Sequence, residues 1–415
     1  MVAALTVGLI AIVGPAEAAT WTSTYNVSAT GWMGQDSPTV AVDRQGDALL
    51  VWAACDGTKP YCYHQVQARI KPASGSMGAI KTLSPDGAVS AWPQVASDDD
   101  GDSAVVWEQE GWIVGRRISA TGVVGPLLTL SPGRAMSAAV AVEPTGRALV
   151  IWNAVDGGSQ TMGRYFGTNG SLGPVLALSG GAMDQPAIAM DRTGTAVAVW
   201  TDMFERVVGR RIRPGYVSPL RVIAPPATGV KYARVTVGVD RDGDATIGYR
   251  RTRTGEMPRV LAKLWSRTNA LSGVLYVSPS TDNVTLYSAV ATDLDGDSVL
   301  VWSRQTSTTL TEVFGRRISR TGTLGTRTWL GVGDRPAVTV DDDGDGLAVW
   351  HSPGPPYEAT QVYARTVSPD GVFASREKLS SDGRVVRTDS SPGGRFSLVW
   401  QQRSHPYQIQ ARFGQ

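Results

Sequence analysis

The chain has 415 residues, a formal net charge of +2, and 42% hydrophobic against 18% charged residues. That balance supports a folded core and excludes a polybasic surface for nucleic acid or anionic lipid. Its 47 glycines and 24 prolines favour many short strands, and the length exceeds one ordinary domain unless the chain is a repeat array or a closed ring.

Residues 2–13 form a short apolar run, and Ala16-Glu17-Ala18 supplies a small-x-small cleavage pattern. The expectation is a signal peptide over 1–18 and a mature chain over 19–415, secreted or on the exterior of the cell envelope, with no membrane insertion after cleavage. No Lys or Arg precedes the apolar run, the one departure from an ordinary export signal. TSTYNVS (22–28) then reads as a solitary strand.

Eight related units follow. Among them are TVAVDRQGDALLVW (39–52), QVASDDDGDSAVVW (94–107), AIAMDRTGTAVAVW (187–200) and AVTVDDDGDGLAVW (337–350). An acid closes the first strand at Asp43, Asp98, Glu143, Asp191, Asp240, Asp293, Asp341 and Asp389, with spacings of 45 to 55 residues, the period of propeller blades. The second strand, such as ALLVW, is apolar at consecutive positions and must be buried on both faces. A third strand carries a small residue before a base, as in Ala68-Arg69, Gly115-Arg116 and Gly315-Arg316. GPLLTLS (125–131) and its counterparts give a fourth. The last unit stops at QIQARFGQ (408–415), its third strand, so TSTYNVS supplies the missing fourth. The fold class expected is all-β: one eight-bladed β-propeller domain of four-stranded blades, closed by an N-terminal strand that completes the last blade.

In this organisation the mature chain resembles secreted bacterial β-propeller repeat proteins. The resemblance implies architecture alone. The WD dipeptide of WD40 repeats and the S-x-D-x-G-x-T-W box of sialidases are absent. Quinoprotein repeats place Trp four residues after the turn Gly, whereas Gly194 precedes Trp200 by six.

Four units carry D-x-D-G-D in full. Calcium wants six to eight oxygens, and an EF-hand loop puts Gly at position 6 with an acid at 12. Here Gly is fourth and no acid follows reliably, while Arg147, Thr195 and Arg395 stand at or near the last acid's place. The reading is turn chemistry, with no metal and no cofactor. Trp52, Trp107, Trp152, Trp200, Trp302, Trp350 and Trp400, with Tyr249, read as fillers between blades. The third-strand bases read as partners of an acid or carbonyl in their own or the next blade.

Function is sought where the repeat is weakest, in the loops of one propeller face. Inter-blade loops hold Trp32, Trp92, Tyr232 and Tyr287; loops between second and third strands hold Tyr61, Trp112, Tyr357 and Tyr407, with His64, His351 and His405. Rigid aromatic loops with a few polar groups suit stacking on sugar rings or gripping a peptide. The competing reading is that these loops pack on themselves. Cys55 and Cys62, with six residues between them in one loop, read as a local disulfide in an exported protein. Asp36, Asp184 and Asp334 are the carboxylates a polysaccharide hydrolase or lyase would draw on, although they sit at blade entries as turn residues do. No nucleophile elbow or zinc-protease motif occurs. The function expected is a non-catalytic binding module for carbohydrate or a cell-surface or extracellular protein. A polysaccharide-active enzyme and a protein–protein scaffold are the alternatives.

Overall fold

The computed structural model describes residues 18–29, 34–55, 64–156, 158–182, 184–308, 310–352, 360–402, 404 and 407–415. They form eight antiparallel sheets and no helix. In blade 1 the order is Gly34–Val42, Ala48–Cys55, His64–Lys71 and Lys81–Thr82, each strand paired with the next in sequence. Five of the remaining blades repeat this pattern; blade 4 splits its outer strand into Tyr216–Val217 and Arg221–Ala224. First strands touch one another in cyclic order, the last, Arg384–Ser390, returning to Gly34–Val42. Blade 8 takes Tyr25–Asn26 as its outer strand against Ile409–Gly414, as the terminal sequences require.

Second strands such as Ala48–Cys55 and Ala196–Thr201 are buried at every position, because each is sandwiched between two neighbouring sheets. The core is accordingly divided into eight apolar clusters, one at each junction. Val197 and Val199 of blade 4 meet Ile247, Tyr249 and Trp265 of blade 5. Val27, Val40 and Trp52 meet Val399, Ile409 and Ala411 where the ring closes. The recurrent tryptophans and Tyr249 are all fully or almost fully buried, as wedges in the space that widens away from the axis.

The acidic turns lie at the opposite strand ends from the entries to the third strands. Asp98 Oδ1 accepts the amides of Asp100 and Asp102 at 3.0 and 2.8 Å, and Gly101 takes φ = +91°. Asp191, Asp240, Asp293 and Asp341 do the same. The second carboxylate oxygen reaches the next blade: a Cβ on Gly101 would lie 2.7 Å from Asp43 Oδ2, and one on Gly344 2.9 Å from Asp293 Oδ2. The glycine therefore supplies both a left-handed turn and room for the neighbour's carboxylate. Blade 8 corrects the sequence reading, since its turn is held by Ser391 and not Asp389. Asp389 lies two residues earlier, within the strand, and accepts the amide of Val42 in blade 1. Every turn residue, Ser391 included, stands nine positions before its Trp or Tyr; alignment on an acid missed that register.

The third-strand arginines donate to carbonyls, and the second blade involved is the preceding one. Arg116 bonds Gly125 O in its own blade and Leu83 O in blade 1; Arg316 bonds Gly325 O and Val277 O. Cys55 ends a strand, buried and not a free thiol, while Cys62 lies outside the described residues. No helix among the described residues is long and apolar enough to cross a membrane.

Candidate binding site

Six residues before the turn residue, the innermost strands break register. Bulges interrupt them between Asp36 and Thr39, Ala91 and Gln94, Met136 and Ala139, Ala233 and Thr236, Asp334 and Ala337, and Arg384 and Arg387. The bulged residues Ser37, Trp92, Ser137, Arg234, Arg335 and Val385 have φ between 49° and 59°. Pro38, Pro93 and Pro336 follow three of them, placing a residue without an amide where the ladder is already broken. The bulge re-aims side chains toward the channel mouth.

Carboxylates hold these bulges. Asp36 Oδ1 accepts the amide of Ser37 at 2.6 Å, and Glu108 Oε1 accepts that of Ser137 at 2.6 Å. Asp184 accepts the amides of Gln185 at 2.9 Å and Arg234 at 2.6 Å. Burial raises the Glu108 pKa, against the lowering effect of the Ser137 amide. Asp334 differs: its Oδ1 is buried without a hydrogen-bond partner, and so is Nδ1 of His351, its cross-strand neighbour. Desolvation pushes His351 down to about 4, outweighing the opposing effect of Asp334 and assisted by Arg335, Arg387 and Arg384. The imidazole is neutral at physiological pH.

Together the bulges enclose a cavity of about 560 Å³ at the channel mouth, lined among others by Asp36, Trp92, Glu108, Met136, Arg335 and Arg387. Trp92 is 61% exposed. At the other end of the channel an ion pair between Arg192 of blade 4 and Asp342 of blade 7 reaches across the ring.

The structure brings Trp92, Tyr287 and His351 to the surroundings of this mouth. Trp92 and Tyr287 lie within strands, Ser90–Ser97 and Val284–Thr292, because the bulges let the inner strands continue where loops were expected. Tyr287 stacks under Arg335, 4.9 Å from guanidinium carbon to ring centre. Tyr232 packs edge-on against Tyr249 and donates its hydroxyl hydrogen to Pro225 O. Trp112 starts a third strand after the two-residue turn Glu110-Gly111 and is 38% exposed. Tyr407 is half-buried in blade 8. Trp32, Tyr61, Tyr357 and His405 lie outside the described residues, as does the side chain of His64, whose backbone opens His64–Lys71. Among the described residues no cluster of His, Cys, Asp and Glu is arranged to hold a metal. Sequence reasoning missed Arg335, Arg387, Glu108 and Met136. Counting back six and four residues from a turn register fixed by the Trp would have found both arginines.

No family model and no curated protein sequence matches the chain. Solved structures do. The WD40 domain of SCAP from fission yeast is similar at TM-score 0.58 and 9% identity, over 95% of this chain and 98% of that one. An ulvan lyase of a new polysaccharide lyase family, bound to -[GlcA(1-4)Rha3S]-, is similar at TM-score 0.52 and 9% identity, over 86% and 96%. At such identities the likeness is one of fold.

Proposed function

We propose that this protein is an exported, non-catalytic binding propeller that takes carbohydrate at the channel mouth. The observation that carries the reading is Trp92. A large aromatic side chain stands exposed over a cavity, on a backbone conformation that bulky residues avoid. An exposed indole face beside polar groups is suited to stacking on a sugar ring. The ulvan lyase of similar fold is bound to a glycan, which supports carbohydrate as the first class to test. Asp36, Glu108 and Asp184 are engaged as acceptors for bulge amides, which favours binding over carboxylate-driven cleavage. A disulfide between Cys55 and Cys62 belongs to the same reading of export. The test is a glycan array probed with residues 19–415 and with Trp92→Ala. Retention that Trp92→Ala abolishes supports the reading; a blank array, or binding indifferent to Trp92, overturns it.

A further inference from the structure

Most arginines of the ring have partners. Arg304 pairs with Asp282 and Glu312, Arg206 with Asp202, and Arg234 with Asp184. The inter-blade guanidiniums of Arg116 and Arg316 donate to carbonyls. At the channel mouth, Arg335 and Arg387 pair with no carboxylate among the described residues. Arg335 lies over Tyr287, and Arg387 donates to the carbonyl of its neighbour Val386.

Arg387 also breaks the repeat. Four residues before the turn residue, the other seven blades carry Thr, Gln or Ala, and blade 8 alone carries a charge. The side chain is exposed to channel water, with protein crowded around it. This crowding lowers its pKa, and the like charge of Arg335 lowers it further. Both side chains line the same cavity as Trp92. The cavity's acids, Asp36 and Glu108, are held by the amides of Ser37 and Ser137. Two like charges beside one cavity, neither neutralised by a carboxylate, constitute a site suited to an anion.

Resting on the carbohydrate reading, we propose that Arg335 and Arg387 bind the oxyanion, carboxylate or sulfate, of an acidic polysaccharide whose sugar ring stacks on Trp92. Guanidinium forks match the planar carboxylate and the sulfate face, and such charge-assisted bonds are the strong ones.

The experiment titrates residues 19–415 with dextran, dextran sulfate and polygalacturonate, and separately with sodium sulfate and glucuronate. Expected is binding of an acidic polymer and not of dextran, weakened about tenfold or more by Arg387→Met and by Arg335→Met. Arg387→Lys should retain part of it, and the Met variants should show less salt dependence. Acidic-polymer binding unchanged in both Met variants overturns the proposal. Binding of dextran alone overturns it and leaves the carbohydrate reading standing. Arg-dependent binding of sulfate with neither glucuronate nor any polymer bound keeps the anion site and sinks the carbohydrate reading; no binding at all sinks both. Met removes a cation with no carboxylate partner, and with it only a ring contact at Arg335 and one carbonyl bond at Arg387. Neither Met variant should therefore unfold more than about a degree or two below the parent. A drop of several degrees would reveal a structural partner and overturn the premise.

Discussion

The two ends of the central channel are built from the same eight strands and follow opposite rules. On the turn rim one solution recurs: an acceptor caps its own hairpin while its second oxygen presses on the next blade's glycine. At the mouth the positions six residues before the turn hold Ser37, Trp92, Ser137, Gln185, Arg234, Tyr287, Arg335 and Val385, all but Gln185 and Tyr287 on a positive-φ bulge and mostly different in chemistry. The backbone device is shared and the side chains are not. Repetition therefore marks what the ring needs in order to close, and divergence above a repeated bulge marks surface released from that need.

The largest expected effect lies on the turn rim. Gly296 has φ = +90°, and a Cβ there would lie 2.8 Å from Asp240 Oδ2. Gly296→Ala should cost about 2–3 kcal/mol in denaturant unfolding, from backbone strain plus displacement of that carboxylate. Gly75 has a similar φ and nothing within 4 Å, so Gly75→Ala should cost about 1 kcal/mol. Equal costs at the two sites would remove the inter-blade role from the turns.

The same rim sets a pH dependence. Burial pushes Asp341 up to about 6, partly offset by the Asp343 amide. Between the unfolded value near 4 and this folded value, the native state binds more protons than the unfolded one. Stability is therefore greatest below about pH 4 and falls as pH rises through 6, by on the order of 2 kcal/mol for this group. Asp389, also pushed up to about 6 by burial, adds a parallel slope. Asp341→Asn keeps an acceptor and should remove its share; an unchanged slope in thermal melts from pH 4 to 7 would refute the assignment.

At the mouth, Glu108→Ala leaves the Ser137 amide without its acceptor and should cost about 1.5 kcal/mol, whereas Glu108→Gln should cost less than half of that. Ligand binding at saturation should survive Glu108→Gln. Loss of a ligand-directed reaction with unchanged stability would instead make Glu108 chemical, and the two ends would no longer divide into scaffold and surface.

The propeller was legible because its causes are local and repeated: doubly buried strands, a wedge aromatic and a positive-φ glycine recur at a near-constant period. Even the closure could be read, since a lone strand and a missing strand lie at opposite termini. The mouth was legible only in part. Trp92 and Tyr287 announced themselves as aromatics outside the repeat. Arg387 did not, because its place in the cavity lining follows from a register hidden by Ser391 standing where an acid was expected. Nor does sequence distinguish Tyr232, which packs on Tyr249, from Tyr287, which lies beneath Arg335; that difference is made by neighbours distant along the chain.

The smallest effect is the sharpest test of the comparison. Trp92 holds φ = +49°, in a region where a Cβ costs about 1 kcal/mol or more and glycine costs little. With most of the indole in solvent, little packing is lost when it is removed. Trp92→Gly should therefore unfold at the same denaturant concentration as the parent or slightly above it, a gain of up to about 1 kcal/mol, while glycan binding disappears. Stability gained and binding lost at one position is the signature of a residue kept for the surface and not for the ring. If Trp92→Gly instead unfolds earlier, the indole belongs to the scaffold after all, and the mouth is only the irregular end of a regular machine.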